Sequence, residues 1–143
     1  MRKILVSMVI ATLLMMAPVF AIGASLTGSI QGFMCVTQGK TCPIGMEDPV
    51  IAAENVFVLL VDMKKGEWYF VPNIDRGILA RHINTEVRIV GDVNLKLKSI
   101  QASEIYTRAA DKSWKKVWSD AMQQNIYQDL FGSGAGRGGL TGP

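Results

Sequence analysis

Apolar and polar positions alternate with a period of two over residues 26–36. Leu26, Gly28, Ile30, Gly32, Met34 and Val36 fall on one side, and Thr27, Ser29, Gln31, Phe33 and Cys35 on the other. That rhythm predicts a strand with one buried face. Residues 37–49 break it with Gly39, Pro43, Gly45 and Pro49 and are expected to form a loop. Residues 50–55 read as a short helical turn or an irregular approach. The unbroken apolar run 56–61 predicts a strand buried on both faces. A polar turn ending at Gly66 separates it from the aromatic strand 67–71, so the two form a hairpin.

Beyond Pro72 the period changes. Asp75 is placed to cap a helix in which Ile78, Leu79 and Ile83 recur at helical spacing, and Asn84 offers a stop. Val87, Ile89, Gly91 and Val93 restore the period of two over 86–93, with Gly91 marking a bulge or sharp bend. A turn at 94–98, basic at Lys96 and Lys98, leads to a strand over 99–107. Its period slips between Ala102 and Ile105, which predicts a second irregularity. Residues 114–118 read as a short last strand whose lysines suit a sheet edge. Ser119 and Asp120 then open a helix over 119–131, with Ala121, Met122, Ile126, Leu130 and Phe131 near one stripe. The Gly-rich residues 132–143 carry no apolar pattern and are expected to be disordered.

Three strands, one short helix and two strands are the order of a small five-stranded OB-fold-like barrel, here over residues 25–118 with a C-terminal extension. The fold class expected is therefore mostly β. A sandwich or roll is the competing architecture, and the single mid-chain helix disfavours it. The stretches 28–35, 67–70, 86–93 and 99–105, with Cys42, together resemble secreted bacterial OB-like domains of uncharacterised function. The likeness covers roughly residues 28–106. It implies an OB fold and export, and no known activity. The chain departs from many such domains in having only two cysteines and a Trp-containing extension after Tyr106.

The N-terminus changes how the charge is read. Arg2 and Lys3 precede an apolar stretch over 4–16, followed by Pro18 and the small residues Ala21, Gly23 and Ala24. These are the parts of a secretory signal over 1–24, cut after Ala21 or Ala24, and they point to a periplasmic or secreted protein. The alternative is an uncleaved anchor, since the stretch is long enough to span a bilayer. Cleavage removes Arg2 and Lys3 and lowers the formal charge from +3 to about +1. Such a balance argues against nucleic acid as the partner, leaving a small molecule or a protein.

Candidate chemistry is sparse. Cys35 and Cys42 are the only cysteines, and in an exported chain such a pair most simply forms one disulfide. They could instead hold copper or zinc with Met34, Met46 or the single histidine, His82. A third reading is a thiol-redox pair, though nothing here supplies the helix N-terminus that activates a Cys-x-x-Cys thiol. No Ser/His/Asp set, carboxylate pair or phosphate loop has usable spacing, so catalysis is not expected. The expected binding surface is the hairpin aromatics Trp68, Tyr69 and Phe70, bordered by Arg76 and Arg88, with the loop over 35–49. Alternation puts Trp68 and Phe70 on one face and Tyr69 on the other, so one side must be core. Residues 114–131 could make peripheral contact with a membrane, a third reading in which the protein is an assembly component.

Overall fold

A computed structural model describes residues 23–132. Residues 1–22 of the expected signal and residues 133–143 of the Gly-rich stretch lie outside the described residues. Six strands form one mostly antiparallel sheet: β1 (Ala24–Gly32), β2 (Phe57–Asp62), β3 (Glu67–Phe70), β4 (Glu86–Asn94), β5 (Ser99–Arg108) and β6 (Trp114–Ser119). Their order is β3-β2-β1-β4-β5-β6, and β3 also pairs with β5, in parallel, at Phe70 and Ser99. Strands β1, β2, β3, β5 and β4 therefore follow one another in a closed ring, with β6 added outside it.

β1 makes the ring possible by serving two neighbours. Its first half pairs with β4 as far as Ser29, and its second half pairs with β2 from Ser29 to Gly32. The crossing occurs at Gly28, where a Cβ would lie 2.2 Å from the Leu60 carbonyl oxygen. Gly91 plays the same part on β4: a Cβ there would meet the Gln101 carbonyl oxygen at 1.9 Å. The β4–β5 register shifts at Val90/Gly91, where Ser103 is left without a partner, so both predicted irregularities are one bulge. A second shift leaves Val117 unpaired on β6. It sends Trp118 into the core while Trp114 stays outside.

Helix α1 (Phe33–Thr37) occupies what the alternation assigned to the end of the first strand. Met34 and Val36 fit the strand period while Phe33 and Val36 fit one face of a helix, and a short apolar run cannot distinguish the two. Helix α2 (Glu47–Ala53) likewise begins inside the predicted loop. Two acidic residues and a proline in its first turn suit a helix start. Helix α3 (Arg76–Ala80) lies between β3 and β4, and Asp75 caps it by accepting from the Gly77 amide at 2.7 Å. Helix α4 (Asp120–Phe131) follows β6, with Ser119 as its cap. Among the described residues no helix is long and apolar enough to cross a membrane.

Two apolar clusters share β2. Phe57 and Leu59 join Ile30, Ile89, Ile100 and Ile105 in the main core inside the ring. Val58 and Leu60 face the other way, under α1, with Val36. All four are buried, which is the two-sided burial expected from the run.

Candidate functional site

The outer face of β2 and β3 carries the most concentrated group of aromatic side chains. Trp68 and Phe70 leave β3 on the same side, with ring centres 5.0 Å apart and nearly perpendicular. Phe33, delivered by α1, completes a trio at 5.5 Å from each. All three are half-buried and rest on Val58 and Leu60. Edge-to-face packing of this kind holds rings rigidly. Tyr69 points inward as the strand period requires; it is buried and donates its hydroxyl hydrogen to Glu67 at 3.1 Å. Burial and that carboxylate both push the Tyr69 phenol above its usual range.

Beside the trio lies a cleft of about 300 Å³ between the β2–β3 and β4–β5 turns, lined by Lys65, Glu67, Trp68, Leu95 and Lys98. Lys98 extends its ammonium to 5.0 Å from the Trp68 ring. The backbone explains the placement: the Phe70 amide donates to the Lys98 carbonyl at 2.7 Å, and Lys98 itself is left-handed at φ 46°. Asp62 shapes the opposite turn by accepting from the amides of Lys64 and Lys65. Leu95 on the cleft and Leu97 in the same turn stand 74% and 68% exposed. Apolar side chains on a turn are the signal that could have drawn attention here. Phe33, Leu95 and Leu97 were not among the expected site residues.

The expected border residues are elsewhere. Arg76 packs over the Phe57 ring at 5.4 Å and donates to the Ile51 and Glu54 carbonyls, closing the end of α2. Arg88 lies on the outer face of β4, stacked on Tyr106 at 4.7 Å and Trp114 at 5.0 Å. Arg108 covers Trp114 at 4.9 Å, and Lys116 covers Tyr106 while pairing with Glu104. The structure therefore separates Arg76 and Arg88 from Trp68 and Phe70, and gives Arg88 its own aromatic setting.

Cys35 and Cys42 do come together. Both thiols are free, with sulfurs 3.1 Å apart. Cys42 is fully buried: its Sγ accepts from the Gly32 amide at 3.0 Å, and its own amide donates to Gln31 Oε1 at 2.6 Å. Gln31 in turn donates to Asn84, which donates to Glu47. Burial, the Cys42 thiol and the nearby Glu54 carboxylate push the Cys35 thiol up to about 12. Met34 and Met46 are exposed, His82 lies just past α3, and among the described residues no three His, Cys, Asp or Glu side chains converge as a metal site would require. Burial, then the adjacent Arg81, lowers the His82 pKa and favours its neutral form.

No known family model, curated protein or solved structure matches this chain.

Proposed function

We propose that this protein is an exported binding module of OB type, which takes its ligand on the outer face of β2 and β3. The observation that carries the proposal is the Phe33–Trp68–Phe70 trio beside a lysine-edged cleft. The ring order β1-β2-β3-β5-β4, with a helix between β3 and β4, supports the OB reading. That fold binds ligands on its second and third strands and adjoining turns. A half-buried indole and an ammonium suit a ligand with a flat or ring-shaped body and an anionic substituent. The basic, apolar and small-residue order of residues 1–24 supports export. In an oxidising compartment Cys35 and Cys42 would close to a disulfide and tie α1, which carries Phe33, to the loop at Cys42, itself hydrogen-bonded to Gln31 and Gly32 at the end of β1.

The test is a tryptophan-fluorescence titration with two stacking probes, a short oligothymidylate and a linear glucose oligomer. Saturable quenching with either probe, weakened about tenfold or more by Trp68→Ala and less by Lys98→Gln, is expected. The thermal transition of each variant shows that the fold survives. An affinity unchanged in Trp68→Ala, or no saturable quenching of the parent with either probe, overturns this site.

A further inference from the structure

The outer face of β4, β5 and β6 gathers positive charge onto two aromatic rings. Strand pairing sets Arg88, Tyr106 and Lys116 in one row and Arg108 beside Trp114 in the next. The guanidinium carbons of Arg88 and Arg108 lie 5.0 and 4.9 Å from the Trp114 ring centre, so one indole brings two cations together. The ring attracts each of them, while the like charges repel. The chain supplies them no counter-charge. Among the described residues the ion pairs are Lys65 with Asp62 and Lys116 with Glu104, which matches Lys116 and leaves both arginines over. Glu104 also accepts from the Tyr106 hydroxyl, and Asp111, in the β5–β6 turn, accepts from Ser113. Glu86, on the same face of β4, is exposed and enters no ion pair. Arg88 Nε is the one buried side-chain nitrogen or oxygen among the described residues that has no hydrogen-bond partner. An orphan donor of that kind marks a guanidinium whose anion must come from outside the chain.

The surroundings narrow what that anion belongs to. Guanidinium forks take carboxylates and sulfate or phosphate groups. Cations already lie over the Tyr106 and Trp114 rings, where a nucleic-acid base would have to stack. Among the described residues no large apolar side chain stands exposed on β4, β5 or β6, so this face has nothing to insert into a bilayer. Exposed Ser25 and Thr27 of β1 put hydroxyls beside it, Thr27 directly opposite Arg88. Exposed Lys112 and Lys115 carry positive charge on past Arg108, farther than one small anion would use. We infer that this face binds an acidic polysaccharide, with Arg88 and Arg108 on its anionic groups and the β1 hydroxyls on its sugar hydroxyls. The surface is separate from the aromatic platform of β2 and β3 and does not depend on it.

Calorimetric titration of the full-length chain with polygalacturonate and with dextran sulfate tests this, with neutral dextran as the comparison. Saturable binding of at least one acidic chain, and none of neutral dextran, is expected. Arg108→Gln, at an exposed position, should weaken it about tenfold or more. Arg88→Lys should weaken it although the charge is kept, because the fork is lost. Lys40→Gln combined with Lys96→Gln, which removes the same kind of charge from other parts of the surface, should change it less than about twofold. Thermal unfolding shows which variants keep the fold, and if Arg88→Lys does not, Arg108→Gln decides alone. No binding of either acidic chain, equal binding of neutral dextran, an affinity unchanged by a folded arginine variant, or an equal loss from the lysine pair overturns the proposal. So does an oligothymidylate or a phosphatidylglycerol vesicle that binds more tightly than either glycan and is released by Arg108→Gln.

Discussion

The Cys35 thiol is held in its protonated form by its surroundings. With a pKa near 12 against an ordinary 9.0, it stays neutral where an exposed thiol is already a nucleophile. The reduced protein is therefore expected to react with iodoacetamide at pH 8.5 at least about tenfold more slowly than it does once unfolded, read by mass spectrometry. The same shift fixes a pH dependence. At pH 7 and below the thiol is protonated in folded and unfolded chains alike and adds no pH dependence. Between pH 9 and 12 only the unfolded chain loses the proton, so stability falls as the pH rises. A disulfide removes that proton altogether, so the oxidised protein should lack this component of alkaline loss. That the two cysteines are neighbours was legible in their spacing. The roles of Arg76 and Arg88 were not, because strand parity assigns a side chain to a face without saying which strand lies next to it. Here sheet order puts Tyr106 and Trp114 beside Arg88 and leaves Trp68 to Lys98.

Among the elements, β1 has the hardest task, since it must bend from one partner strand to another within nine residues. Gly28 allows the bend by letting the Leu60 carbonyl approach where a side chain would begin. Gly28→Ala is expected to cost about 3 kcal/mol, because the atom it meets is backbone and cannot step aside. Urea unfolding would measure this, and a cost under about 1 kcal/mol would show that the crossing can relax. Most strands were legible from their period, as were the bulge near Gly91 and the Asp75 cap. Helix α1 was not, and α2 was read only in its second half, as one of two options for residues 50–55. Met34 and Val36 keep the strand period while Phe33 and Val36 keep the helical one, and α2 buries no residue fully, so it leaves no apolar stripe to read. The choice of helix after Gly32 is made by tertiary contacts: the Glu54 carboxylate accepts the Met34 amide at 3.0 Å, and Val36 finds the pocket over Val58 and Leu60.

At the scale of the whole molecule, the fold class was readable because a ring of short strands needs regular alternation, glycine at its bends and polar turns between. The surface was less readable, because exposure depends on what lies opposite. Trp118 and Trp114 sit four residues apart in one strand, yet one is core and the other is outside, owing to a single unpaired residue. β2 separates the two clusters, and every side chain from Phe57 to Leu60 is spoken for. Its amides should accordingly exchange with deuterium last, at the rate of global unfolding, while those of α4 exchange first. Hydrogen-exchange mass spectrometry resolves both, and early exchange in β2 would contradict the shared wall. A wall with two tenants has a further consequence. The aromatic platform cannot be peeled away while the interior stays closed, so its loss and the melting of the domain should be one event, and the ring that carries Trp68 doubles as a reporter of the interior.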